Sequence, residues 1–359
     1  MRVLVANAGS SSLKLSLLDA GDTELWAREL DAPRAVVEPD AVAAALEELP
    51  VAPDVVGHRI VHGGQRFDSA IVLDAGVMAS LRELTALAPL HQPKSLAAVE
   101  AVSQTLPAIP EVACFDTAFH ASLPPAAATY ALPRDWRERY GIRRYGFHGL
   151  SHAHAARRAR ELVSSPRRVV TCHLGAGASL CAVLEGRSVD TTMGFTPLEG
   201  LAMATRSGSV DPGLLLWLLE HAALSPGEMA HALEHESGMV GLAGTRDMRE
   251  VLAREDPEAQ LALGVYLHRL CTGIGAMAAS LEGVDALVFT GGVGERSARV
   301  RELACARLSH LGIAIDRSRN DAVDGDADVR TAGSPVAVLV VRAREDLEIA
   351  RQVRALLRP

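Results

Sequence analysis

The sequence predicts an α/β fold in which one structural unit occurs twice. Apolar runs of strand length alternate with helical stretches along all 359 residues, and 48% of these are hydrophobic, which suits the cores of two domains. A strand, a Gly-rich turn and a second strand occupy residues 3–18, and the same order returns at residues 169–184. An internal duplication is the expected explanation.

The first of these segments contains NAGSSSLK, which runs from Asn7 to Lys14. Leucines alternate with polar residues over 13–17, so the turn leads into a strand and not into the helix of a Walker loop. Residues 9–12 therefore offer backbone N–H groups and three serine hydroxyls to an anion. An ordinary hairpin is the alternative.

Lysine is rare in this chain, since Lys14 and Lys94 are the only two among 36 lysines and arginines. An ammonium is a flexible point charge that suits a phosphate, whereas a guanidinium recognises planar anions through two hydrogen bonds. Lys14, at the end of the Gly-Ser turn, is thus a candidate phosphate ligand. Chance placement is the alternative.

The second segment, VVTCHLGAGASLCAVLEGRSV, aligns with the first when Asn7 is placed on His173, an offset of 166 residues. The same offset places Leu17 on Val183. Two copies facing one another across a cleft would direct two anion-binding turns at one point. Two unrelated hairpins are the alternative, because short glycine-rich turns recur by chance.

A third glycine-rich loop follows the apolar strand 286–290, and a helix is predicted to begin near Ser297. The N–H groups and dipole of such a helix suit a nucleotide phosphate. The segment 256–282 is rich in Ala and Gly, which favours a core helix, with an intersubunit helix as the alternative. Further helices are predicted at 74–88, 93–106, 148–163, 211–223 and 345–357, and a polar loop at 316–335.

Charge and cysteine content favour a small-molecule partner. A net charge of −8 leaves no basic stripe for nucleic acid. The five cysteines are scattered without C-x-x-C spacing, as in reduced cytoplasmic proteins. No basic leader and no uninterrupted run of about 18 apolar residues occurs. We therefore expect a cytoplasmic protein that binds neither nucleic acid nor a membrane.

Three charged residues stand at the ends of predicted strands. Arg59, in the strand 55–61, could bind a carboxylate or a phosphate through its guanidinium. Asp116 could hold a metal ion or orient a nucleophile. Glu345 follows the strand 335–341 and could support a metal ligand. A surface charge or a helix cap is the plainer interpretation of each.

The segment YGFHGLSHAH places three histidines within seven residues at a predicted helix start. His148 and His152 are four residues apart, so a zinc site is an alternative to a phosphate donor. Zinc is disfavoured because no HExxH glutamate and no third ligand at a diagnostic spacing are present.

Charged residues also occur in later loops. Arg206 lies in a Gly-Ser loop, and Asp247 and Arg249 stand near a helix start, where they suit a nucleotide's sugar or base. A solvated helix face is the alternative for the last two. Three glycine-rich turns, one lysine, Arg59 and Arg206, and acids at strand ends together constitute the inventory of a phosphoryl-transfer site.

Ten motifs occur in order along nearly the whole chain: NAGSSSLK, GHRIVHGG, APLHQP, FDTAFH, RRYGFHGLSH, CHLGAGAS, DTTMGFTPLEG, TRSGSVDP, FTGGVGE and EDLEIAR. Through these motifs the chain resembles the acetate kinase family. This resemblance implies the actin-like ATPase fold, with duplicated ribonuclease H-like domains and a central cleft. It also implies reversible, direct in-line transfer of a phosphoryl group from ATP to acetate, giving acetyl phosphate and ADP, with Mg²⁺ (or Mn²⁺) as cofactor, in a homodimer.

The resemblance also implies a division of labour between domains. Residues 1–146 would form the domain that binds the acid and the phosphate. Residues 147–345 would form the domain that binds the nucleotide and dimerises. The C-terminal helix, 346–359, would pack back on the first domain.

The matching motifs imply roles for individual residues. Asp116, His148 and Arg206 would be catalytic, and Asn7 and Glu345 would bind the magnesium ion. The acid would contact Arg59 and an apolar pocket of Val61, Leu90, Phe147 and Pro197. ATP would contact Lys14, Ser10, Ser12, His173, Leu174, Gly175, Ala176, Gly177, Asp247, Met248, Arg249, Gly292, Val293, Gly294, Glu295 and Arg296.

The chain departs from the family pattern at Ala176, Ala204 and Arg296, where Asn, Gly and Asn are usual. These departures leave pyrophosphate open as a donor beside ATP. Propionate or butyrate kinase is the alternative within the family, because one methylene in an apolar pocket discriminates by only ~1–3 kcal/mol. An actin-fold nucleotide-binding module without transfer activity and a histidine-based metal hydrolase are alternatives from other classes.

Overall fold

The computed structural model describes residues 1–9, 12–31, 38–88 and 92–358, which form two compact units. The chain passes between the units after residues 121, 146, 154 and 343. The first unit is Met1–Ala121, Phe147–His154 and Arg344–Pro359, and the second is Ser122–Gly146 and Ala155–Ala343.

The first unit is built on one six-stranded sheet of order β3-β2-β1-β4-β6-β5. Neighbouring strands β1, β4 and β6 run parallel, whereas β2, β3 and β5 are antiparallel to their neighbours. The carboxyl ends of the three parallel strands therefore meet at one edge, where α/β proteins place their ligands. The strands are β1 (Val3–Ala8), β2 (Ser12–Leu18), β3 (Glu24–Asp31), β4 (Val55–Ile60), β5 (Ile71–Val72) and β6 (Glu111–Phe115).

Helices cover both faces of this sheet. On one face Ile349 and Val353 pack against Val3 and Val55, and a side chain at Gly57 would clash with both helix residues. This close approach requires glycine in the middle of β4. The helices are α1 (Pro39–Glu47), α2 (Ala75–Glu83), α3 (Gln92–Thr105), the first turn of α6 (Gly149–Leu162) and α15 (Glu345–Leu357), with 3₁₀ turns at Leu84–Leu87 and Ala118–His120.

The sheet of the second unit repeats the topology of the first. Its order β9-β8-β7-β10-β12-β11 matches β3-β2-β1-β4-β6-β5 strand for strand, with the same parallel and antiparallel pairs. The predicted duplication is therefore confirmed. The strands are β7 (Arg168–Leu174), β8 (Ala178–Leu184), β9 (Arg187–Thr191), β10 (Ala286–Thr290), β11 (Ala327–Asp328) and β12 (Ala337–Val340).

The predicted offset of 166 residues is correct for β7 but wrong by one residue for β8. Leu18 pairs with Val3 in the first hairpin, and Val183 pairs with Val169 in the second. Val183 therefore corresponds to Leu18 and not to Leu17. The physical reason is a second turn that is one residue shorter.

Eleven helices belong wholly or in part to the second unit. The helix predicted near Ser297 is confirmed as α13, which begins at Ala298 with Ser297 as its N-cap, whereas the glycine-rich loop before it forms a separate short helix, α12. The helices are α4 (Pro125–Ala128), α5 (Arg134–Tyr140), the rest of α6, α7 (Pro212–His221), α8 (Pro226–His231), α9 (Gly238–Ala243), α10 (Met248–Ala253), α11 (Pro257–Ser280), α12 (Gly291–Arg296), α13 (Ala298–Ala306) and α14 (Arg317–Asp321), with a π turn at Ala232–Glu236 and a 3₁₀ turn at Ser309–Leu311.

Helix α11 is 24 residues long and strongly apolar, with a mean hydropathy of 1.3 over its best window. Within the described ranges it is the one helix that is long and apolar enough to cross a membrane. Core helices of water-soluble proteins can have the same length and composition. Tyr266, Leu270 and Ile274 are buried in the second unit. Leu261, on another face, is 60% exposed.

Candidate active site

The carboxyl edge of the first sheet brings four predicted residues together. Asn7 is the penultimate residue of β1, Arg59 is the penultimate residue of β4, and Asp116 directly follows β6. Because these strands are parallel neighbours, their ends lie side by side. Glu345 joins them as the first residue of α15.

Arg59 and Asp116 form a buried ion pair. The Arg59 Nη2 atom lies 2.6 Å from Oδ2 of Asp116, and Nε lies 3.1 Å from both carboxylate oxygens. The side chains are only 13% and 1% exposed, respectively. Charge-assisted hydrogen bonds of this kind fix the relative orientation of both groups.

The two partners shift one another's pKa. Burial would lower the pKa of Arg59, but the charges of Asp116 and Glu345 raise it well above its ordinary value, so the guanidinium stays charged. Burial raises the pKa of Asp116, and the charge of Glu345 adds to this rise, while Arg59 opposes it. Removal of the carboxyl from water is the larger effect.

Asn7 and Glu345 are in contact beside this pair. The Asn7 Nδ2 atom donates to Oε2 of Glu345 at 2.8 Å, and Arg59 Nη1 donates to Oδ1 of Asn7 at 3.2 Å. Amide and carboxylate oxygens are the ligands that Mg²⁺ prefers, and Mg²⁺ needs few of them because it keeps waters and substrate phosphates. The donor set therefore fits the predicted ion.

A larger metal cluster is not formed in the described part of the chain, which contains no group of three or more His, Cys, Asp or Glu side chains arranged around one ion.

His148 occupies a strained position next to Asp116. Its φ of +56° lies in the left-handed region, which non-glycine residues rarely adopt. The following N–H, of Gly149, donates to the Asp116 carbonyl at 2.9 Å, and a side chain at Gly149 would collide with that carbonyl. The backbone around Asp116 thus fixes His148, and strain of this kind is concentrated at functional sites.

The first unit also contains two of the predicted pocket residues. Val61 and Phe147 are both buried, and the ring of His62 packs edge-on against Phe147, with 5.5 Å between the ring centres. Pro197 belongs to the second unit. Leu90 and the predicted phosphate ligand Ser10 lie outside the described residues.

Two buried histidines make the stability of the first unit depend on pH. Burial lowers the pKa of His62 and of His120 to about 4. Both rings are neutral in the folded protein and would take up a proton near the ordinary value of 6.5 when unfolded. Their stabilising contribution is therefore present above pH 6.5 and is lost as the pH falls towards 4.

We expect each of these histidines to lower the free energy of unfolding by about 2 kcal/mol between pH 7 and pH 5. Urea denaturation of the parent protein and of His120→Gln at both pH values measures this. The difference between the two pH values should be smaller in His120→Gln, and unchanged in the control His221→Gln, whose side chain is exposed. An equal pH dependence in His120→Gln would contradict the assignment.

Lys14 lies opposite Asn7 in the β1–β2 ladder. Its side chain is 64% exposed, and its ammonium lies 3.9 Å from the Glu29 carboxylate, in an ion pair that contributes little to stability. Ser12 donates to the same Glu29 carboxylate at 2.7 Å. The lysine is therefore loosely held, and its contact with a phosphate stays a prediction.

In the second unit the turn at 173–177 is joined to the loop that carries Arg206. The Gly175 N–H donates to the Gly177 carbonyl, and the Ala204 N–H donates to the Ala176 carbonyl at 3.1 Å. Leu174 is fully buried beneath the turn. The predicted anion-binding turn and the Arg206 loop are thus hydrogen-bonded to one another.

Hydrogen bonds and close backbone packing hold the loop that carries Arg206 in place. Arg206 Nη1 donates to the Pro197 carbonyl at 3.3 Å, and Thr205 Oγ1 donates to the Glu234 carbonyl at 2.8 Å. Gly238, with a φ of +63°, approaches the backbone of this loop so closely that a side chain would clash. Burial lowers the pKa of Arg206, with Glu234 opposing the shift.

A polar cluster that the sequence interpretation missed supports the Pro197 loop. Tyr130 donates to Glu199, and its oxygen accepts the Phe195 N–H at 2.9 Å. Arg144 pairs with the other Glu199 oxygen at 2.7 Å. The signal available beforehand was Glu199 within the quoted motif DTTMGFTPLEG.

Several residues that were predicted to bind the nucleotide form hydrogen bonds or ion pairs within the second unit. The Glu295 carboxylate accepts the N–H groups of Gly291 and Ala343, each at 2.9 Å. Asp247 caps α10 and pairs with the exposed Arg249 at 2.5 Å, which lowers the pKa of Asp247 to about 2. Helix α12 places Gly292, Val293, Gly294 and Arg296 in one turn, and Met248 begins α10. Their contact with a nucleotide stays a prediction.

The duplicated sheet and the charged edge of its first copy together suit a phosphotransferase with a carboxyl group as acceptor. The profile described as the acetokinase family matches residues 35–351, so the chain belongs to that family. It is therefore a carboxyl-group phosphotransferase that uses ATP as co-substrate.

Relatives and solved structures agree with this assignment. An acetate kinase from Protochlamydia amoebophila is 41% identical over 98% of both chains. The crystal structure of Porphyromonas gingivalis acetate kinase is similar to this chain with a TM-score of 0.89 and 36% identity. The match covers 99% of this chain and 100% of that one. A propionate kinase from Francisella tularensis has a TM-score of 0.88 at 33% identity over 98% of both chains.

Proposed function

We propose that the protein catalyses reversible, Mg²⁺-dependent transfer of a phosphoryl group between ATP and acetate. The observation that carries this proposal is the buried Arg59–Asp116 pair next to Asn7 and Glu345 at the carboxyl edge of the first sheet. That arrangement combines a cation, a proton acceptor and oxygen ligands for a metal within one unit.

The reaction requires two anions to approach one another, because both the acid and the nucleotide phosphates are negatively charged. Arg59 would hold the carboxylate, and Asp116 keeps its guanidinium oriented. Arg206 and His148 would stabilise charge on the transferring group. Positioning and charge stabilisation then supply most of the rate, since little covalent chemistry is left to the protein.

Asn7 and Glu345 would hold the Mg²⁺ ion. When bound, the ion supplies neutralisation of charge on the nucleotide phosphates. Mn²⁺ has the same preference for carboxylate and amide oxygens and would substitute for it.

The metal assignment predicts the effect of one substitution. Glu345→Gln should raise the Mg²⁺ concentration needed for half-maximal activity by about tenfold or more, because a charged oxygen ligand becomes neutral. Magnesium titration of initial rates measures this. Glu100→Gln, which removes the same charge from a surface ion pair with Arg82, is the matched control. Equal magnesium requirements in both variants would contradict the assignment.

Acetate is favoured as acceptor because the named relatives include acetate kinases and because Val61 and Phe147 offer an apolar contact for one methyl group. The likeness to a propionate kinase supports propionate as the second candidate. Butyrate differs from it by a further methylene, which such pockets discriminate weakly.

A single assay tests these choices. Acyl phosphate formation is measured with acetate, propionate and butyrate, each with ATP and with pyrophosphate. We expect the highest kcat/KM for acetate with ATP. A higher kcat/KM for propionate or butyrate would overturn the choice of acid, and pyrophosphate as the better donor would overturn the choice of donor.

We further propose a cytoplasmic homodimer without nucleic-acid or membrane partners. The exposed Leu261 on α11 and the exposed Leu216 and Trp217 on α7 support an apolar surface for a second copy. Sedimentation velocity of the purified protein gives the oligomeric state directly, and a monomer at all concentrations would contradict the proposal.

A further inference from the structure

Lys94, the second of the chain's two lysines, is buried. It lies in the first turn of α3, and only 5% of it is exposed. Its Nζ atom has no hydrogen-bond partner among the described residues. A buried ammonium without a compensating anion is costly to the folded state, so its presence requires an explanation.

The start of α3 is hydrogen-bonded to the segment that follows β4. The Gln92 side chain accepts the His62 N–H at 3.2 Å and donates to the His62 carbonyl at 3.1 Å. It also donates to the Leu81 carbonyl at 3.4 Å. The helix turn that carries Lys94 is therefore hydrogen-bonded to the segment that contains Arg59 and Val61.

Lys94 and Arg59 are close enough for their charges to interact. Burial lowers the pKa of Lys94, and repulsion from Arg59 lowers it further. Arg59 already has its own anions, since Asp116 binds it in a bidentate manner and Glu345 lies 3.8 Å away. Lys94, by contrast, has no such partner among the residues that the structure describes.

We propose that the Lys94 ammonium binds the carboxylate of the acid substrate, as a second cation beside Arg59. This inference rests on the proposed function, because it needs an anionic acid at the Arg59 edge. Binding of that acid supplies the missing counter-charge. A lysine suits the role, since a point charge on a flexible stem can follow the carboxylate as it becomes an acyl phosphate.

A structural lysine and a substrate-binding lysine respond differently to replacement by Met, which has a similar length and no charge. If Lys94 binds substrate, Lys94→Met should raise the KM for acetate about ten- to a hundredfold, as expected for loss of a charge-assisted hydrogen bond, and leave the KM for ATP within about twofold. The thermal midpoint should stay the same or rise, because an unpaired buried charge is removed.

Arg82→Met is the matched control, since it removes one positive charge from an exposed ion pair of the same unit. Its KM for acetate should equal that of the parent protein. Lys94→Gln keeps a polar side chain and provides a second variant if Lys94→Met folds poorly. For either variant, calorimetric titration with acetate measures affinity without turnover.

The outcomes separate the two proposals. An active parent protein with an unchanged acetate KM in both Lys94 variants overturns the role of Lys94 and leaves the proposed function intact. A lower thermal midpoint with equal changes in both KM values assigns a structural role instead. Absence of acyl phosphate from the parent protein with every acid and donor overturns both.

Discussion

Replacement of Arg206 by alanine is expected to lower kcat by about 10²–10³-fold, the usual effect of removing one charge-stabilising donor from a transferring group. The KM values for both substrates should change much less, because this stabilisation develops only in the transition state. Steady-state rates of acetyl phosphate formation measure the effect.

The fold of the Arg206→Ala variant should be preserved. The loop that carries Arg206 is held mainly through its backbone, by Ala176, Leu233 and residues 237–240, and these hydrogen bonds do not need the guanidinium. Arg299→Ala, which breaks an exposed ion pair with Glu302, is the control of equal charge. Unchanged turnover in Arg206→Ala would refute the catalytic assignment.

Asp116→Asn should reduce both activity and stability. Turnover should fall by about 10²–10⁴-fold, because the variant loses the carboxylate that orients Arg59 and can accept a proton. The free energy of unfolding should fall by about 3–5 kcal/mol, because Arg59 is left buried without its main counter-charge. Urea denaturation and steady-state kinetics measure the two effects separately.

A second substitution distinguishes the two effects of Asp116. Adding Arg59→Gln to Asp116→Asn removes the unpaired charge, so most of the lost stability should return while activity stays low. Recovery of activity together with stability would indicate that the pair is only structural. Full turnover in Asp116→Asn alone would contradict a role for the carboxylate in the reaction.

Periodicity predicted most of the elements because their buried faces follow the helix and strand repeats. The strand β10 was predicted at its observed bounds, and α3, α6 and α15 within one or two residues. The strand β3 was not predicted, because its residues are mostly exposed and several are charged, so they show no apolar alternation. The polar segment 316–335, predicted as a loop, contains α14 and β11, which are too short to give a periodic signal.

Glycine-rich segments were the least predictable. The register of β8 depends on the length of a turn, which residue types alone do not determine, and α12 forms from three glycines and helix-compatible residues that also suit a loop. Tertiary contacts decide such cases, since glycine permits many backbone conformations.

The candidate site was likewise only partly predictable from the sequence. Strand-end positions made Arg59 and Asp116 separate candidates, and the family resemblance implied their joint role. Parallel pairing of β4 with β6 places them side by side. The support of Pro197 by Tyr130 and Glu199 was not predictable, because the partners are about 70 residues apart. The burial of Lys94 depends likewise on how α3 packs, which no local pattern shows.

Direct transfer from ATP to the acetate oxygen is tested by the stereochemistry at phosphorus. With ATP made chiral at the γ-phosphorus by oxygen isotopes, one in-line displacement inverts the configuration in acetyl phosphate. We predict inversion, because the proposed roles hold both substrates for a single step. Retention would require two displacements through a phosphorylated side chain and would contradict direct transfer.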